Sequence, residues 1–333
     1  MKYNVLNKMK NTNANYDEII KGNDALITFF MPTYNRAKFI PRIYDNLQRQ
    51  TLKNFVWLIV NDGSQDNTND VCIGYVNENK LPICYISKEN GGKHSAFKVA
   101  LDNCETKYFI CIDDDDVYSE YSTEFFVEKW KEIENQNNSS RIGAIRSLTK
   151  RHDGKFVTNF TVIENEEYDA TTLDTNYIMK RRQENWTCYK TDALRSVDLF
   201  PENYWMCNHH TFFIESIWQG RFARKYLCRY INTSLCTYTD DAETSLIRHK
   251  KDKQHYWNSF LNHKFLVDEQ SDYMSRNVFQ YIKTILRINI YRNYLGVGML
   301  DFLHHTKKGN LKFLYILTWP LSKLSPLFHL PKS

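Results

Sequence analysis

The chain has 333 residues, 42% apolar and 25% charged, which excludes a disordered or fibrous protein and allows one large core or two moderate ones. Its net charge of +5 is unevenly spread: residues 250–333 carry 13 Lys and Arg against 5 Asp and Glu, and residues 1–249 carry 31 against 34. Eight cysteines without a C-x-x-C pair exclude a clustered zinc site or a disulfide framework and are expected to be reduced thiols in a cytosolic protein.

Residues 1–23 are polar, lack the apolar core of a secretory signal, and read as a flexible arm or a loosely packed short helix. Residues 25–31 form the first strong apolar run, stopped by Pro32, and Thr33-Tyr34-Asn35-Arg36 follow as a loop. Ile40, Ile43, Tyr44 and Leu47 recur at helical spacing. Residues 55–60 are a second strand ending in Asn61-Asp62-Gly63-Ser64, and Asp66 and Thr68 are placed to cap a helix toward Val76. Residues 83–86 are a third strand, after which Asn90-Gly91-Gly92-Lys93-His94 open a helix through Leu101.

The fourth strand, residues 108–112, runs straight into Asp113-Asp114-Asp115-Asp116. Four carboxylates at the end of a buried strand repel one another and raise each other's pKa unless a cation compensates them. Carboxylate oxygens suit Mg²⁺ or Mn²⁺, which commonly take substrate phosphates as further ligands; a solvated acidic turn capping the next helix is the alternative.

Strand and helix alternate from residue 25 to residue 133, which predicts an α/β fold with a parallel sheet covered on both faces. In such sheets ligands sit beyond the carboxyl ends of the strands, where all four polar signatures fall. The G-x-G-x-x-G and P-loop patterns are absent, which disfavours hydride transfer and the usual ATPases. A soft boundary is expected at the polar loop 135–140. Beyond it come a strand near residue 142, the mixed basic and aromatic Arg181-Arg182-Gln183-Glu184-Asn185-Trp186, a helix-like segment at 211–220, strands around Asn232, and a basic helical remainder.

The combination Phe30-Met31-Pro32-Thr33-Tyr34-Asn35, Val60-Asn61-Asp62-Gly63-Ser64, Asn90-Gly91-Gly92-Lys93 and Ile112-Asp113-Asp114-Asp115-Asp116 resembles family 2 of the inverting glycosyltransferases. The match covers roughly residues 25–240, with Asn61 where the family usually has Asp. The resemblance implies the GT-A fold, a Rossmann-like nucleotide-binding sheet flanked by helices. Around it the expected layout is a polar arm (1–23), a catalytic domain (24–245, nucleotide half 24–134 and acceptor half 141–245) and a basic helical C-terminal region (246–333).

It also implies an activity: transfer of a sugar, with Mn²⁺ or Mg²⁺, from a nucleotide-diphosphate donor such as a UDP-sugar to a glycan or lipid-linked acceptor of the cell envelope. Pro32, Thr33, Tyr34, Asn35, Arg36, Asp62, Gly92, Lys93, Asp113 and Asp114 would line the donor site. Tyr34 would stack on the base and Asp62 accept its ring N–H; a turn-capping Asp62 is the plainer reading. Lys93 and Arg36 would lie near the diphosphate, and Asp113 and Asp115 would hold the metal.

Inversion needs a base. Asn208-His209-His210 stands where the family often has an acid pair, and Ile214-Glu215-Ser216-Ile217-Trp218 resembles the Pro-Glu-Ser triplet of nearer relatives, so Glu215 is the candidate, with His209 and Asp192 as competitors. Arg181, Arg182, Trp186, His209 and His210 are acceptor-side candidates.

Two other functions compete: a nucleotide-sugar-binding module without catalysis, and a nucleotidyltransferase. The C-terminal twenty residues are too interrupted to span a bilayer. Phe313, Leu314, Tyr315, Ile316, Leu317, Trp319 and Leu321, with Lys307, Lys308, Lys312 and Lys323, suit instead the anionic inner face of the cell membrane or a helix docked on the core. No nucleic-acid module is present, so a cytoplasmic enzyme that meets the membrane peripherally is expected.

Overall fold

The computed structural model describes residues 9–200, 213–239 and 253–323. Its elements in chain order begin with β1 (Met9–Thr12), α1 (Ala14–Lys21), β2 (Ile27–Thr33), α2 (Ile40–Gln48), β3 (Phe55–Asn61), α3 (Thr68–Glu78), β4 (Ile83–Ser87), α4 (Lys93–Asn103) and β5 (Tyr108–Cys111). There follow β6 (Val117–Tyr118), α5 (Ser122–Glu134), β7 (Ile142–Arg151), β8 (Glu167–Ala170), β9 (Asn185–Lys190), α6 (Thr191–Arg195), α7 (Glu215–Ala223) and β10 (Leu227–Tyr238). The chain closes with α8 (Lys253–Met274), α9 (Val278–Tyr294), α10 (Met299–His304) and α11 (Gly309–Ser322).

The ten described strands form one sheet, ordered β1-β4-β3-β2-β5-β9-β7-β10-β6, with β8 paired to β10. β4, β3, β2 and β5 are mutually parallel, as the strand-helix alternation predicts. Because side chains alternate across a strand, adjacent residues feed different cores. Phe30, Leu58, Phe97, Phe109 and Phe222 pack on one face, while Phe29, Trp57, Ile110 and Trp130 pack on the other. This is the α/β GT-A arrangement expected from the sequence.

The polar loop 135–140 lies between the two halves in sequence, and β9, pairing antiparallel with both β5 and β7, joins them in one sheet. One expectation changes: from residue 9 onward the chain is not a flexible arm. β1 adds antiparallel to β4, and the buried Asn13 caps α1 by accepting the Tyr16 N–H while its amide donates to the Leu81 carbonyl at 2.8 Å. The polar composition supplied those bonds to the sheet edge.

A third core lies among the C-terminal helices, centred on Phe260, Ile285, Ile288, Phe302, Leu311 and Tyr315. Polar clamps tie it to α7. Arg221 binds Glu269 at 2.8–3.1 Å and Asp198 at 2.7 Å, Arg224 binds Asp272, and Gln270 donates to the Ser216 carbonyl. No described helix is long and apolar enough to cross a membrane, and the seven described cysteines are unbridged.

Candidate active site

The four loops at the carboxyl ends of β2, β3, β4 and β5 are bonded to one another. The Asp62 N–H donates to the Thr33 carbonyl at 2.9 Å, and the Lys88 N–H to the Asn61 carbonyl at 3.0 Å. Asn35 sits at φ +54°, a left-handed conformation that Asn tolerates, and links its loop to the next through Ser64 and Gln65. Gly63, at φ +77°, lets the chain pass so close to Asn90 that a Cβ would stand 2.7 Å from its nitrogen.

Asp62 is only 4% exposed, and its carboxylate accepts from Lys88 Nζ, from the Gly91 N–H at 3.0 Å and from the Gly92 N–H at 2.7 Å. Much of its acceptor capacity is therefore spent on organising the Asn90-Gly91-Gly92 loop. Lys88, missed in the sequence, also donates to Ser95. Its only signal was its place one residue beyond β4. Asn61 is buried, bonding the Tyr85 hydroxyl and the Ser64 N–H, so a neutral side chain fits there. Tyr34 is 44% exposed at the rim.

The acidic run is compensated mainly by the protein's own cations. Arg36 lies 2.7 Å from Asp114 and 2.6 Å from Asp115, and Arg42 donates to the Asp114 carbonyl at 3.0 Å. Lys93, at the start of α4, donates to Asp113 at 2.8 Å and lies 3.5 Å from Glu215. Burial alone would lower the Lys93 pKa, but Asp113 and Glu215 outweigh it and raise it; Lys93 in turn holds Asp113 below the usual carboxylate range.

Burial pushes Asp114 and Asp116 up to about 7. The loop itself is pinned by the Tyr118 hydroxyl, which accepts the Asp113 N–H and donates to the Asp113 carbonyl. Asp116 accepts the Thr239 N–H.

Asp113 and Asp115, with side chains 49% and 31% exposed, are hard oxygen donors open to a cation. Among the described residues no three His, Cys, Asp or Glu side chains form a cage. A divalent ion here would need substrate oxygens to complete its shell, the usual habit of Mg²⁺. The donor chemistry fits.

Beyond the acidic run a cavity of about 250 Å³ opens between Asp113, Asp116, Arg146, Trp186 and Glu215. Topology explains the lining. β7 and β10 run parallel to each other and end at the rim, whereas antiparallel β9 begins there. β9 therefore finishes at the opposite edge, where Lys190 pairs with Tyr108. Asp192 follows that far end, its side chain 99% exposed and facing Arg195, so it is not beside the site. Glu215 is at the rim, in the first turn of α7 and across the cavity from Asp113.

Trp186, an acceptor-side candidate, borders this cavity as a packed side chain. It is 6% exposed, lies among Phe29, Tyr118 and Phe126, and donates to the Cys111 carbonyl at 2.9 Å. Arg182 is exposed and pairs its backbone with Asn159, whereas Arg181 covers Phe160 and Tyr168. His209 and His210 lie outside the described residues. Arg146, which sequence reasoning missed, lines the cavity as a buried guanidinium 3.4 Å from the Tyr189 hydroxyl. A larger cavity of about 650 Å³, between α4 and α8, contains none of the motif residues.

Residues 28–191 match the family model described as Glycosyl transferase family 2. This segment is a family 2 glycosyltransferase domain. An uncharacterized glycosyltransferase of Rickettsia prowazekii is 34% identical over 112 residues, 34% of this chain and 34% of that protein. A teichoic acid poly(glycerol phosphate) polymerase of Staphylococcus epidermidis is 30% identical over 124 residues, 37% of this chain and 16% of the polymerase. The glycosyltransferase domain thus aligns with about a third or less of these relatives' length. S. aureus TarS 1–349, solved in complex with UDP-GlcNAc, shares the fold with a TM-score of 0.59 at 16% identity, over 91% of each chain.

Proposed function

We propose that the chain is a metal-dependent inverting glycosyltransferase that moves a sugar from a nucleotide-diphosphate donor, a UDP-sugar, to a hydroxyl of a glycan or lipid-linked acceptor in the cell envelope. The observation that carries this reading is the chain of contacts Asp115–Arg36–Asp114 and Asp113–Lys93–Glu215 at one sheet rim. It sets cations for a diphosphate beside a carboxylate for an acceptor. Supporting it are the family 2 domain, the UDP-GlcNAc complex of TarS and the polymerase relative.

In this reading Tyr34 stacks on the base. Asp62 holds the Gly91-Gly92 turn and keeps its remaining lone pair for the base N–H. The acceptor oxygen attacks the anomeric carbon while its proton passes to Glu215. The bond from that carbon to the phosphate oxygen breaks, and the nucleotide diphosphate leaves from the opposite face with inversion. Lys93 and Arg36 steady the charge that develops on it. Held by Asp113 and Asp115, Mn²⁺ or Mg²⁺ would supply further charge neutralisation on the diphosphate.

Thermal shift across a panel of nucleotide sugars with Mn²⁺ identifies the donor. Asp115→Asn should then lower metal-dependent turnover about a hundredfold or more while the melting temperature without ligand is unchanged. Undiminished turnover in that variant would remove the metal assignment.

A further inference from the structure

The helix α11 has two faces of opposite fate. Leu311, Tyr315, Thr318 and Ser322 are buried against α9 and α10; Tyr315 packs edge-on to Phe302 at 4.7 Å, and Asn289 of α9 donates to the Tyr315 carbonyl. Phe313, Ile316, Leu317 and Leu321 recur at the complementary helical spacing and are 65%, 51%, 60% and 52% exposed. The stripe they form contains no charged residue. Single exposed apolar side chains are ordinary, but a contiguous row is not. This division also removes Tyr315 from the set that the sequence grouped on a membrane-facing side, since it is buried against the core.

The charge along the segment that carries the stripe has one sign. From residue 302 to the end of the chain there are five lysines and no Asp or Glu. Lys307 and Lys323 are exposed and Lys312 is half-buried, and the Lys323 ammonium lies 4.3 Å from the Trp319 ring centre, at the edge of the stripe. A partner protein surface would need to be both apolar and acidic to match this. A bilayer of anionic lipid presents those two properties together, with acyl chains beneath phosphate headgroups. At 14 residues the helix is about 21 Å long, too short to span, so it would lie in the interface.

We propose that α11 is a membrane-surface anchor: Phe313, Ile316, Leu317 and Leu321 enter the headgroup region of an anionic bilayer while Lys307, Lys312 and Lys323 contact its phosphates. The anchor is independent of the transferase reading, because binding is read without any sugar donor.

Flotation of the full chain with vesicles of phosphatidylglycerol and phosphatidylcholine, against vesicles of phosphatidylcholine alone, tests it. The chain should float with the anionic vesicles at low salt and be released at about 1 M salt, where the screening length falls to about 3 Å. Phe313→Ser with Leu317→Ser should abolish flotation without changing the melting temperature, since both side chains are exposed. Each Lys→Gln at 307, 312 or 323 should weaken binding about fivefold. Failure of the parent chain to float, or equal flotation of the double serine variant, would overturn the proposal. So would size-exclusion showing a parent dimer that the serine variant dissolves, because a second copy would then cover the stripe.

Discussion

At the scale of single residues, the acidic run is a problem in charge management solved with few parts. Burial acts first on Asp114 and Asp116 and pushes both up to about 7; Asp115 and Asp113 add to the shift at Asp114, and Arg36 opposes it. Between the ordinary value of 3.8 and about 7, the folded protein therefore keeps protons that the unfolded chain has released. Stability from these two groups is complete below that window and is lost as pH rises through it. Asp113, held low chiefly by Lys93, acts oppositely: its contribution is lost as pH falls below the usual carboxylate value. Asp116→Asn removes one titrating group yet keeps an oxygen for the Thr239 N–H. It should flatten the decline in melting temperature between about pH 4 and about pH 7, where one group contributes at most about 1.4 kcal/mol per pH unit. A profile superimposable on the parent's would mean that Asp116 ionises as an ordinary carboxylate.

At the scale of elements, the arm before β2 tests how much local polarity conceals. Asn13 accepts from the Tyr16 and Ile83 backbones and donates to the Leu81 carbonyl, all at buried positions. Asn13→Ala leaves those groups unpaired and should cost about 1–3 kcal/mol in urea unfolding; a loss under about 0.5 kcal/mol would return the arm to the loose packing its composition suggested. The sequence made the parallel half legible because β2 to β5 are continuous apolar runs whose polar ends are all carboxyl ends. It concealed the second half for a physical reason. β9 reverses direction, and reversal moves its polar neighbours between rims without altering any local pattern. Asp192 thus looked like a neighbour of the site and is not, and Trp186, an acceptor-side candidate, borders the cavity from a packed position. The apparent interruption at Asn232 is a bulge in β10 between Ile231 and Ser234, where Asn232 bonds the Ile163 carbonyl and Glu166. Partners such as Lys88 for Asp62, and Arg36 for Asp114 and Asp115, depend on loop closure across 26 to 79 residues, beyond the reach of spacing arguments.

At the scale of the whole molecule, the C-terminal helices bear on the chemistry although none of their described residues lines the site cavity. Glu215 begins α7, and α7 is fastened from behind by α8. The Arg221 fork spans Glu269 and Asp198, while Gln270 sits so close to Gly220 that a Cβ there would stand 2.1 Å from its amide nitrogen. The donor loops are instead fixed by β2 to β5 and by contacts among themselves. A loosened α7 should therefore disturb the two halves of the reaction unequally. Arg221→Met keeps an unbranched apolar side chain but removes the fork together with the guanidinium that lies over Phe265; because the pair is only partly buried, about 1–2 kcal/mol of stability should go with it. On the proposed mechanism, turnover should fall about tenfold or more, since small displacements of a positioned base are expensive, while the thermal shift produced by the nucleotide-sugar donor keeps its size. Arg221→Lys, which restores one charged contact with Glu269, should recover part of the turnover. Equal losses in donor binding and turnover would make Arg221 a general structural residue. A selective loss in turnover would tie the position of Glu215 to the helical region behind it.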